Sequence, residues 1–217
     1  MKKSIAIITF LLIIISVPFG IIKLKTSIQQ KHISEKLIRF HVIANSDLPY
    51  DQKLKLEVKD GVLQYISPKL KECKDINQSR KVIKDNDAAI KEIANKIIKE
   101  NGYNYNINTK LSYENFPIKT YGNISLPQGK YEAYRIIIGE GKGQNWWCVM
   151  FPPLCFVDIT KGQVAYKETE KEMKSVLNES EYKAIDNGIQ YSKNSNNKEK
   201  KIKMKFKIFE VIEDIFS

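Results

Sequence analysis

GKYEAYRIIIGEGKGQNWWCVM, residues 129–150, decides the fold class, because two runs of strand-forming residues stand on either side of a short glycine-rich turn. Residues 129–138 and 145–150 are both expected to be strands, and so short a connection favours antiparallel pairing. Upstream the same pattern continues. Tyr103, Tyr105, Ile107 and Thr109 alternate with asparagines, and a further strand is expected over 112–121, separated by Gly-Asn and Pro-Gln-Gly turns. The strands thus cluster late in the chain.

Before them come a strand and helices. Residues 37–44 alternate, with Ile38, Phe40, Val42 and Ala44 on one face and Leu37, Arg39, His41 and Ile43 on the other. Asn45-Ser46-Asp47-Leu48-Pro49 then reads as a helix start, with Asp47 as the capping acid. Leu54, Val58, Val62 and Ile66 recur every four residues as one buried stripe. A second helical pattern runs over 79–101, with Asp85-Asn86-Asp87 able to re-cap it midway and Gly102 as its C′ residue. A last helix is expected after Thr169, as far as Asn187-Gly188. This order predicts an α+β fold, a mainly antiparallel sheet with two or three packed helices, and not the alternating βα pattern of a doubly wound sheet.

The ends differ in character from the middle. Lys2 and Lys3 precede nineteen uncharged residues, 4–22, followed by Lys23 and Lys25. As a helix that run spans about 28 Å, close to a bilayer core and longer than a usual signal-peptide core. Length favours an uncleaved anchor; Pro18, Gly20 and the small residues near Thr26 leave cleavage open. Residues 1–25 are therefore a signal or membrane anchor, 26–190 an extracytoplasmic signalling domain, and 191–217 a polar linker with a basic amphipathic tail. In that tail lysines alternate with Ile202, Met204, Phe206 and Ile208, which suits either an edge strand or an anionic membrane surface.

The net charge of +11 resides mostly in those ends. Four lysines flank the apolar run and residues 193–207 carry +6, so everything else sums to only +1. A nucleic-acid partner would require the excess on a folded groove or stripe, and none is expected. The loop 139–143 lacks the G-K-[ST] ending of phosphate-cradling loops and precedes a strand, so it reads as a mobile glycine hairpin available to a partner. No small-molecule substrate, cofactor or metal site is indicated: there is no C-x-x-C, H-E-x-x-H or D-[ST]-G. His41, Asp47, Asp51 and Cys148 are the least implausible players for a catalytic reading, and no catalytic residue is assigned.

Three long stretches carry a more specific message. RFHVIANSD (39–47), FPIKTYGNISLPQGKYEAYRIIIGEG (116–141) and GEGKGQNWWCVMFPPLCFVD (139–158) resemble the core pattern of the stage II sporulation protein R family. The resemblance spans residues 37–158. It implies a protein made in the forespore and exported to the septal intermembrane space, secreted or anchored, where it activates a membrane-embedded aspartic protease that processes the sigma-E precursor in the mother cell. An exported enzyme such as a cell-wall hydrolase, or a non-catalytic septal adaptor, are the alternatives.

The residues themselves suggest a surface. Lys142, Gln144 and Asn145 of the loop, Trp146, Trp147 and Phe151 beside it, and Arg39, His41, Asn45 and Asp47 of the first strand and its turn are the candidate partner contacts. Adjacent strand residues face opposite ways, so one tryptophan should belong to the core and the other be available. Cys148 and Cys155 flank a Pro-Pro turn that could bring them within disulfide range, or they are simply small buried hydrophobes.

Overall fold

A computed structural model describes residues 28–156 and 163–187. The expectations for 1–25, for the tail 191–217 and for an apolar membrane-spanning run lie outside those residues; among the described residues no helix is long and apolar enough to cross a membrane.

Residues 28–34 are helical and lead into β1 (Ile38–Ile43). Helix α1 (Pro49–Lys71) follows, then α2 (Ile76–Asp85) and α3 (Asp87–Glu100). The strands come next: β2 (Ile107–Phe116), β3 (Lys119–Tyr121), β4 (Ile124–Leu126), β5 (Gly129–Ile138) and β6 (Asn145–Phe151). A 3-10 turn (Leu154–Phe156) and helices α4 (Gln163–Val176) and α5 (Glu179–Ile185) complete the order.

The main sheet has the order β2-β5-β1-β6, and β3 and β4 form a separate hairpin. Its β2–β5 and β1–β6 ladders are antiparallel, but β1 runs parallel to β5, with Phe40 opposite Tyr134, and the antiparallel β5–β6 pair favoured by their short connection does not form. The sheet is therefore mixed. Consecutive strands β4 and β5 do not pair within it, and β1, the first strand of the chain, lies in its middle between β5 and β6. Central placement lets β1 bury both faces, and all six of its residues are buried.

One face of the sheet packs on α1, α2 and α3. Ile38, Phe40 and Val42 meet Leu54, Val58, Val62 and Ile66, the stripe anticipated from the four-residue spacing. Truncating any one of these leucines or isoleucines to alanine should cost about 2–5 kcal/mol. The expected single helix over 79–101 breaks at Asn86, as its Asp-Asn-Asp sequence suggested. Asp87, just past the break, accepts hydrogen bonds from Thr109 of β2 (2.6 Å) and Tyr134 of β5 (2.7 Å), so the break is anchored to the sheet. Gly102 closes α3 in left-handed backbone.

On the other face, Leu37, Tyr131 and Val149 join Ile33, the β3–β4 hairpin and residues of α4 and α5 in a second core. The expected single C-terminal helix is two, because Asn178 caps α5 in a reciprocal capping box with Glu181. Strand β2 starts at Ile107, four residues later than its alternation suggested. Tyr103 and Tyr105 do not join the ladder but stack on each other at 5.4 Å.

Candidate partner-binding site

Because β1 and β5 are parallel, both end on the same edge of the sheet, and so the chain leaving each must share space there. The turn after β1 and the loop between β5 and β6 are bonded to one another. The amides of Lys142 and Gly143 donate to the carbonyls of Asn45 (3.1 Å) and Ala44 (3.0 Å). The Glu140 amide donates to Asn45 Oδ1 (3.0 Å), and the Gln144 amide to Asp47 Oδ1 (2.6 Å). Asp47 therefore does not cap α1. Leu48 holds the N-cap position without a side-chain bond, and Pro49 begins the helix.

Asp51, buried in the first turn of α1, accepts from Asn45 Nδ2 (2.9 Å) and Ser46 Oγ (2.5 Å). Burial alone would raise its pKa, yet bonds from Ser46, Asn45 and Tyr105 hold the carboxyl below the usual range, so it stays ionised. Lys55, whose pKa is lowered by burial against the opposing pull of Asp47, closes the network through the Gln144 carbonyl (3.1 Å). Two glycines make this approach possible. A Cβ on Gly139, which sits at φ +57°, would collide with Asn45 Oδ1, and one on Gly143 with the Ser46 carbonyl oxygen. The glycine loop is thus fastened in place, contrary to the expectation of a mobile hairpin.

What the loop presents outward are the exposed side chains of Lys142, Gln144 and Asn145. Beside them stand residues that sequence reasoning passed over: Leu48 is 49% exposed, Tyr50 is 47% exposed, and the ring of Tyr50 stacks on Tyr103 at 6.0 Å. An apolar pair flanking a helix-start proline was the available signal. The 2.7 Å Glu140–Lys142 ion pair is too exposed to contribute much stability.

The tryptophans do face opposite ways, and both are half-buried. Trp146 packs edge-on to Phe40 at 5.8 Å on the helical side, with Lys59 Nζ 5.1 Å from its ring. Trp147 lies on the other side, stacked on His41 at 3.9 Å and edge-on to Phe116 at 4.7 Å. Phe151 is buried in the helical core.

Arg39 is wholly buried. Its guanidinium carbon lies 4.3, 4.9 and 5.6 Å from the ring centres of Phe116, Tyr131 and Tyr121, while Nε donates to the Cys148 carbonyl (3.1 Å) and Nη2 to the Tyr121 hydroxyl (2.9 Å). Three aromatic faces here do for the cation part of what water would. His41 is 5% exposed, and neither ring nitrogen has a hydrogen-bond partner among the described residues. Burial lowers its pKa to about 4, with the nearby Asn145 side chain opposing, so the imidazole is neutral at neutral pH. Arg39, His41 and Phe151 are thus buried, Arg39 and Phe151 toward the end of the β1–β6 ladder opposite the fastened turn, and offer a partner little direct surface.

The pleat separates Cys148 from His41. Cys148 pairs with Phe40 and belongs to the helical core, whereas His41 pairs with Trp147 on the opposite face. Cys148 and Cys155 are both free thiols that point to one carbonyl, Val149 O, at 3.8 and 2.9 Å; burial raises the Cys155 pKa well above the ordinary thiol value. No disulfide is formed: Cys148 is buried in the core and Cys155 is a half-buried thiol packed against it. No group of His, Cys, Asp and Glu among the described residues could hold a metal ion.

Fold and site together define an α+β protein in which a polar network fastens the turn after β1 to the loop between β5 and β6. The family model described as stage II sporulation protein R matches residues 34–161, which include the whole four-stranded sheet and the fastened edge. Over 224 aligned residues, covering all of both chains, the sequence is 34% identical to "Stage II sporulation protein R" of Bacillus subtilis (strain 168). The chain belongs to the stage II sporulation protein R family. No solved structure matches it.

Proposed function

We propose that this sporulation protein is an exported intercellular signal, carried out of the forespore by residues 1–25, which activates a membrane-embedded aspartic protease in the mother cell and so triggers processing of the sigma-E precursor. Family membership supports the biology. The observation that carries the mode of action is the fastened edge, where Lys142, Gln144, Asn145, Leu48 and Tyr50 are displayed on backbone held by Asn45, Asp47 and Asp51. A surface ordered before binding loses less conformational entropy when it binds. Activation further requires that this surface bind the active state of the protease more tightly than the inactive one, since equal affinity shifts nothing.

The direct test places the full chain with protease-bearing membranes and follows precursor cleavage. Cleavage that depends on the chain, saturates with it, and weakens in a Lys142→Ala/Gln144→Ala variant of unchanged melting temperature is the expected result. Turnover of peptidoglycan by the purified chain, with no effect on the protease, would establish the hydrolase alternative and refute the signal.

A further inference from the structure

We propose that β2 is a self-association edge, through which two copies of this chain pair antiparallel about a two-fold axis at Ser112. Strand β2 lies at the end of the sheet order and pairs with β5 alone, over all ten of its residues and without a register shift. Its outer edge has no strand partner among the described residues. Natural edges of this length are usually blunted by proline, a bulge or several charges, because unpaired amides and carbonyls invite another strand. The opposite edge, β6, is shorter and runs into Pro152 and Pro153. β2 meets no proline until Pro117 and has no bulge, its only charges are Lys110 and Glu114, and Tyr113 on it is 59% exposed.

Charge identifies the occupant. With Ser112 facing Ser112, Lys110 of each copy lies opposite Glu114 of the other, and Leu111 lies opposite Tyr113. No other antiparallel register of β2 on itself sets these opposite charges directly across from each other. The groups are also poised for it. Across the β2–β5 ladder Lys110 faces Arg135, a like charge, and it makes no ion pair at contact distance among the described residues. Glu114 receives both Arg135 Nη1 (2.7 Å) and Ser112 Oγ (2.8 Å) on Oε1, which leaves Oε2 without a described partner. A carboxylate oxygen retains two acceptor sites for the incoming ammonium. Cross-strand pairs of opposite charge and of aromatic with aliphatic side chains are the units that stabilise such a ladder. A single strand edge buries little area, so the dimer is weak and reversible.

Sedimentation equilibrium of the full chain in detergent micelles should show a monomer–dimer equilibrium. Lys110→Glu sets glutamate against Glu114 in the pair while relieving the Lys110–Arg135 repulsion within each copy, so it should weaken the dimer at least tenfold without lowering the melting temperature. In a Cys73→Ser background, Ser112→Cys should cross-link under mild oxidation with copper phenanthroline, because residues directly opposite lie about 4.5–5.5 Å apart at Cα, within disulfide range. Asn108→Cys, far from its own counterpart in this register, should not. A monomer at every concentration, a dimer indifferent to Lys110→Glu, or equal cross-linking at both positions overturns the proposal. So does dimerisation that appears only after residues 191–217 are removed, which would assign the edge to the chain's own tail.

Discussion

Titration of His41 offers the cleanest quantitative test of the packing on the face of the sheet opposite α1, α2 and α3. The buried imidazole has a pKa lowered to about 4 against 6.5 in the unfolded chain, so between these values the unfolded state binds the extra proton and stability falls as pH falls. At pH 5 the unfolded ring is almost fully charged and the folded ring only about one-tenth charged, which makes the loss relative to pH 8 about 2 kcal/mol. Carboxylates with depressed pKa values, the buried Asp51 and Glu181 and the half-buried Asp87 and Glu114, also lose stabilisation on acidification, but as pH falls from the ordinary carboxylate range through their lowered values. The two windows are therefore separable. His41→Phe keeps a ring to stack on Trp147 and removes two nitrogens that bond nothing described. Denaturant unfolding followed by tryptophan fluorescence, at pH values from 8 to 4.5, should show that this variant is at least as stable as the parent at pH 8 and lacks the parent's decline between pH 6.5 and 4.5. An unchanged decline in His41→Phe would refute the assignment of that proton to His41.

Gly143→Ala should lower stability by about 1–3 kcal/mol through collision with the Ser46 carbonyl and should speed amide exchange at Gln144, measured by hydrogen exchange; native-like protection in the variant would show that the edge is not fastened through this approach. Trp146→Ala and Trp147→Ala should each cost about 3 kcal/mol in denaturant unfolding, because both rings are packed, one on Phe40 and the other on His41 and Phe116. Asn178→Ala should cost about 1 kcal/mol by removing the cap of α5, seen as a lower denaturation midpoint at unchanged slope.

Period and punctuation in the sequence determined the elements. The four-residue spacing of Leu54, Val58, Val62 and Ile66 marked the buried stripe of α1, Asp-Asn-Asp marked the break between α2 and α3, and the bounds of β5 were legible from its composition. Such signals are local, since a helix or a strand displays its buried face within a few residues. Family membership was legible too, in three stretches that together hold β1, β5, β6 and the fastened edge. Tertiary structure alone decided which strand lies beside which. The parallel β1–β5 pair joins residues more than ninety apart, and nothing in either strand names its partner. That pairing then set the fates of the remaining residues. It brought Asn45 and Asp47 against the glycine loop, so that a stretch that reads as a mobile hairpin is instead a connection between non-adjacent strands held by hydrogen bonds. It also placed Arg39 and His41, which read as surface contacts, in the middle of the sheet beneath Phe116, Tyr131 and Trp147, because a central strand is covered on both faces whatever side chains it carries.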